Sequence, residues 1–186
     1  NVENSADFQT TITSRSSQQI RELASTQSID FGFADFHPPV GNEQRYFAEI
    51  VRADCFCAVQ RDHPLAKKGK VTVADLDNEP IGTLHGDHPL QRSLAHLVQQ
   101  ENVTLRSNIA GQFFLPLIPF ISLGHCCSIV DPLTAVTERE LNISKGKVVF
   151  IPFDAPIRYE YATLTPAYRP SSQHATRVKD AWMGAL

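Results

Sequence analysis

Arg61-Asp62-His63-Pro64-Leu65-Ala66 runs through Lys67-Lys68-Gly69-Lys70 into Val71-Thr72-Val73-Ala74-Asp75-Leu76, and this stretch decides how the chain is read. Proline after His63 fixes one backbone dihedral and starts a turn. Lys67 to Lys70 is a short basic spot, read as a solvated turn. The segment 71–76 begins with β-branched residues and ends in Ala74-Asp75-Leu76, a short strand running into a helical turn.

Outward from this block, strands and helices alternate. Upstream, residues 46–59 read as one or two strands broken near Arg52-Ala53-Asp54, and residues 29–34 as a buried strand ending near Asp35. Residues 18–24 carry Ile20 and Leu23 at helical spacing, with Ser16 or Ser17 as N-cap. Residues 8–13 are β-rich and are expected as a strand. Downstream, residues 80–84 form a strand, and 85–89 a loop that opens a helix with Leu90, Leu94, Leu97 and Val98 on one face. Strands are expected at 103–105, 126–130, 147–153 and 159–165, and a last helix from Ser171 to near Trp182. Residues 112–123 should be helical, with a kink or late start imposed by Pro116 and Pro119. The alternation argues for α/β lobes with largely parallel sheets.

Composition narrows the function. Hydrophobic residues make up 42% of the 186, enough for a real core, and charged residues 20%. A net charge of −3 with scattered basic residues argues against a duplex-DNA grip by this chain itself. The four cysteines, Cys55, Cys57, Cys126 and Cys127, sit in apolar stretches at spacings unlike a zinc site, and read as reduced core thiols. No cofactor or metal is expected. No apolar run reaches about 18 residues and no export signal opens the chain, which points to the cytoplasm. No nucleophile elbow, zinc-protease, phosphate-loop or dinucleotide motif is present, so an enzyme is not expected. His125 beside Cys126 invites a Cys–His pairing, but neighbours on a strand point to opposite faces.

Three stretches, in order, resemble the effector-binding domain of LysR-type transcriptional regulators. Ile29-Asp30-Phe31-Gly32-Phe33-Ala34 matches a family strand; the His63-Pro64-Leu65-Ala66 block with 71–76 matches its most specific pattern. The third is Gly124 to Ala135, ending Ile129-Val130-Asp131-Pro132-Leu133-Thr134-Ala135, although Cys126 stands where the family usually has a second glycine. The closing strand and Pro170-Ser171-Ser172 agree.

The resemblance implies two Rossmann-like lobes of the type 2 periplasmic-binding-protein-like fold, joined by two crossing strands. Lobe one would be 1–53 plus 155–186, without the family's first strand and helix, and lobe two 54–154. The family's DNA-binding helix-turn-helix is not in these residues. It also implies a homodimer or tetramer that reaches DNA through that domain, does not bind membranes, and senses a small effector. Residues 13–17 and 130–135 resemble the branch that responds to amino acids and opines such as octopine and nopaline. The alternatives are an aromatic or other organic acid as effector, or a transporter's solute-binding protein.

In open α/β sheets, ligands lie beyond the carboxyl ends of strands. The candidates are therefore Ser14, Arg15, Ser16 and Ser17, where hydroxyls and a helix start suit a carboxylate. Asp35 follows a strand and can take an ammonium or guanidinium group; a turn-capping role is the alternative. Leu84, His85 and Gly86 follow another strand, Gly86 allowing close backbone approach. Gln112, Phe113 and Phe114 come after Gly111, with at least one phenylalanine expected in the core. Asp131 ends a strand and either pairs with a ligand amine or caps a helix.

Overall fold

The computed structural model describes residues 9–36, 38, 45–85 and 88–184. They form an α/β fold in two compact units, residues 1–51 with 160–186, and residues 52–159. Two long strands run through the unit boundaries: β2 (Tyr46–Asp54) and β8 (Arg158–Pro166).

The first unit opens with α1 (Ser17–Ser25). Ser16 caps it: its hydroxyl accepts from the Gln19 N–H, and the Gln19 side chain reaches back to the Ser16 N–H, a capping box. Strand β1 (Gly32–Asp35) pairs antiparallel with β8, which lies between β1 and β2. Gly32 lets α1 approach, since a Cβ there would run into Ile20. Ala24, Ala34, Ala162 and Leu164 form the core, flanked by Ile20, Ile29, Phe36, Tyr46 and Ala48. The last helix, α5 (Gln173–Met183), is capped by Ser172 and lays Trp182 edge-on against Phe33.

The second unit carries β3 (Phe56–Gln60), β4 (Pro80–Leu84), β5 (Arg106–Gly111), β6 (Ser128–Val130) and β7 (Val148–Pro152). Strand β3 lies between β6 and β7, antiparallel to both. Strands β4 and β5 are parallel, and a parallel bridge from Ile81 to Cys127 ties β4 to the start of β6. The bridge is made by Gly82 N–H to the Cys127 carbonyl at 2.7 Å and Cys127 N–H to the Pro80 carbonyl at 2.8 Å. Strands β4, β5, β6 and β7 therefore run one way and β3 the other. The helices are α2 (Pro89–Gln100), the short α3 (Ile118–Ser122) and α4 (Pro132–Leu141). Fully buried Val59, Leu76, Ile81, Leu94, Leu117, Ile118, Ile121, Ile129 and Val130 make the core.

Several expectations need correction. Residues 9–13 form no strand, and Ile12 is 87% exposed; β propensity alone does not supply a ladder partner. Phe8 lies outside the described residues. The strand expected at 103–105 lies at 106–111, because Asn102 adopts a left-handed conformation and Val103 N–H still closes on the α2 carbonyl of Val98. The helix expected over 112–123 starts late, as its prolines implied: a 3-10 turn at Leu115–Leu117 precedes α3, with Pro116 and Pro119 each in a first-turn position where no N–H is needed. The sheets are mixed, β1–β8 and both β3 pairings being antiparallel. The basic spot at 67–70 is exposed throughout, as a solvated turn should be, with Lys68 reaching Asp75 at 2.5 Å and Lys70 reaching Asp154 at 2.6 Å.

Candidate functional site

Two strands of the second unit end in register, and a third runs parallel beside them. Leu84 pairs with Gly111. Val130 stands three residues beyond Cys127, as Leu84 stands three beyond its bridge partner Ile81. The next residues, His85, Gln112 and Asp131, thus each follow the carboxyl end of one of three parallel-running strands. Every strand there points its carboxyl end the same way, which is where α/β sheets place ligands.

Each of these residues is held by a local device. Gly111 permits a tight reversal: a Cβ there would meet the Phe113 carbonyl at 3.0 Å. After it, Gln112 is exposed, Phe113 is 51% exposed and Phe114 turns into the core. Asp131 caps α4, its Oδ1 accepting from the Thr134 N–H at 3.1 Å, and is only 7% exposed. It also helps to raise the neighbouring Cys55 thiol: burial first, then Asp131 and Asp54, push that thiol up to about 12. Leu84 is buried and His85 exposed. Gly86 lies outside the described residues.

Sequence reasoning missed two residues at this edge. His88 caps α2, its Nδ1 accepting from the Leu90 N–H at 3.2 Å. Its Nε2 lies 3.3 Å from the Tyr159 hydroxyl. Phe114 packs edge-on against both rings. A signal existed for His88: His-Pro-Leu occurs twice, at 63–65 and 88–90. Nothing local marks Tyr159, whose partner His88 lies 71 residues away in sequence, at the cap of α2.

In the first unit, Ser17 and Asp35 meet. The Ser17 hydroxyl donates to Asp35 Oδ2 at 2.8 Å and accepts from the Asp35 N–H at 3.2 Å, which locks the end of β1 to the start of α1. The Ser16 hydroxyl serves the cap. Ser14 and Arg15 are exposed, and the Arg15 guanidinium donates to the Ser14 carbonyl at 2.8 Å.

Three of the thiols, Cys55, Cys57 and Cys126, hold their protons more tightly than a free thiol does. All four cysteines are free and buried, whereas His125 is exposed. Burial pushes the Cys126 thiol up to about 11, and a hydrogen bond with Cys127 together with burial raises Cys57 well above its ordinary value. A thiolate nucleophile requires the opposite shift. Among the described residues no cluster of three metal-ligating side chains occurs, and no helix is long and apolar enough to cross a membrane.

The chain belongs to the LysR family, whose substrate binding domain matches residues 5–183. It is 26% identical over 167 residues to the transcriptional activator protein LysR of Escherichia coli, covering 89% of this chain and 51% of that protein. The chain thus spans about half the length of that relative. Its fold is similar to that of the CcmR regulatory domain of Synechocystis in complex with 2-PG, with a TM-score of 0.69 at 18% identity over 91% of this chain and 79% of that one. It is also similar to the effector binding domain of QuiR in complex with shikimate, with a TM-score of 0.65 at 15% identity over 89% of this chain and 76% of that one. This is the type 2 periplasmic-binding-protein-like fold of ligand-binding domains in LysR-type regulators.

Proposed function

We propose that this chain is the sensor of a LysR-type regulator and binds a small carboxylate-bearing effector, an amino acid or opine, without transforming it. One observation supports the reading: β4, β5 and β6 point their carboxyl ends the same way, and the residues that follow them include His85, Gln112, Phe113 and Asp131, in a chain of a family of ligand-binding domains. Apolar Phe113 suits a ligand's stem and Asp131 its amine. The unit of residues 52–159 is read as lobe two, and the unit of 1–51 with 160–186 as lobe one, whose own candidate residues are Ser14, Arg15, Ser16, Ser17 and Asp35. A helix-turn-helix elsewhere in the longer protein would carry DNA binding, the assembly would be a homodimer or tetramer, and the compartment the cytoplasm. Effector binding would act through its differential affinity for two conformations.

A second reading takes an aromatic or other organic acid as effector. It is favoured by the aromatic cluster of His88, Phe114 and Tyr159, and by the shikimate and 2-PG bound to the two similar domains.

Thermal unfolding against octopine, nopaline, basic amino acids and shikimate tests both. A compound that binds only the folded state raises the midpoint by mass action. A shift with an opine or amino acid, reduced in His85→Ala and Ser14→Ala, supports the first reading. A shift with shikimate alone supports the second, and no shift with any acid contradicts both.

A further inference from the structure

The His-Pro-Leu repeat fixes where two imidazole protons sit. In each copy, Nδ1 of the histidine accepts the N–H of the leucine two residues on: 3.3 Å from Leu65 to His63 and 3.2 Å from Leu90 to His88. A neutral imidazole has one N–H, so an accepting Nδ1 leaves the proton on Nε2. The first copy supports that polarity. Nε2 of His63 lies 3.4 Å from Glu79 Oε2, and an ionised carboxylate can only accept. In the second copy Nε2 meets the Tyr159 hydroxyl oxygen at 3.3 Å, with the ring centroids 5.8 Å apart. That oxygen is therefore the acceptor, and its own proton points away from His88.

We propose that His88 is a positioning residue of the effector site: held as the Nε2–H tautomer by the α2 cap, it donates to Tyr159 and directs the Tyr159 hydroxyl proton to an oxygen of an acidic effector. The inference rests on the effector reading above. His88 stands three residues beyond His85, and Phe114, packed on both rings, three beyond Gly111, so the pair belongs to the same carboxyl edge. Whatever acceptor the Tyr159 proton has without effector, a carboxylate oxygen is the stronger one, since charge-assisted hydrogen bonds are roughly twice as strong as neutral ones. Accepting from His88 also polarises the hydroxyl and makes it a better donor.

Two measurements test this. Long-range proton–nitrogen NMR of labelled histidine should show a bare Nδ1 and a protonated Nε2 at His88, with the Nε2 signal displaced in Tyr159→Phe. A proton on Nδ1 overturns the inference whichever acid binds. Calorimetry with octopine and shikimate should show about tenfold weaker binding in Tyr159→Phe, the size of one hydrogen bond to a charged group. His88→Asn keeps a good N-cap and should lose a similar factor, while His63→Asn, the same change at the other repeat, should lose nothing. Unchanged affinity in Tyr159→Phe, or an equal loss in His63→Asn, contradicts the proposal. If neither acid binds the unsubstituted protein, the effector reading falls and takes this inference with it.

Discussion

The two units solve the same packing problem with different means. The second buries a dense set of leucine, isoleucine and valine around a mixed sheet, with helices begun by His88-Pro89 and Asp131-Pro132. The first packs Ala24 of α1 onto Ala34, Ala162 and Leu164 of its three-stranded sheet and leaves Ile12 exposed. Apolar volume sets the margin each unit has to spare, so substitutions should hurt the second unit most and polar caps should count for more where they are buried.

The largest contrast is expected in the cores. Leu94→Ala, fully buried among large neighbours, should cost about 2–5 kcal/mol in urea unfolding, and Leu164→Ala, among alanines, should fall at or below the bottom of that range. An equal or larger cost at Leu164 would break the comparison.

Next comes the alkaline side of the stability curve. Cys55, Cys57 and Cys126 bind their thiol protons more tightly folded than unfolded. Their contribution is complete below the ordinary thiol value of 9.0 and is lost as pH climbs toward about 11 for Cys126 and about 12 for Cys55. Thermal melts should decline above pH 9 less steeply in Cys55→Ala, and thiol reagent at pH 8 should label the native protein only as slowly as it opens. Fast labelling would contradict the burial of these groups.

The caps sharpen the same contrast on a smaller scale. Asp131→Ala should cost about 1–2 kcal/mol, near the upper end for an N-cap because its site is buried, and Ser16→Ala about 0.5–1 kcal/mol at its more open site. The smallest effect is expected at Lys70→Ala, whose exposed pair with Asp154 should leave the melting midpoint unchanged.

Legibility in the sequence depended on local punctuation and cut across the two units, since α1 and α5 were readable in the first and the strand at 106–111 was not in the second. Second-unit elements announced themselves through punctuation that acts locally: Asp131-Pro132 ends β6 and starts α4, and the leucine stripe of α2 needs no distant partner to be read. The segment at 9–13 has equally strong β composition, yet a strand exists only where another backbone pairs with it, and sequence composition does not contain that partner. At the candidate edge, Asp131 and the Gly111 reversal could be read from the residues following each strand. The pairing of Leu84 with Gly111 and the parallel run of β6 beside them could not, because they depend on how separate strands meet.

The central claim is that the carboxyl edge of the second unit receives the effector. Its most direct test is an amide NMR titration of the protein with octopine, amino acids and shikimate. Saturable shifts should be concentrated at Leu84, His85, Gln112, Phe113 and Asp131, with the opposite ends of the same strands, at Ile81 and Arg106, undisturbed. Saturable shifts confined to those opposite ends, or none with any acid, would contradict it.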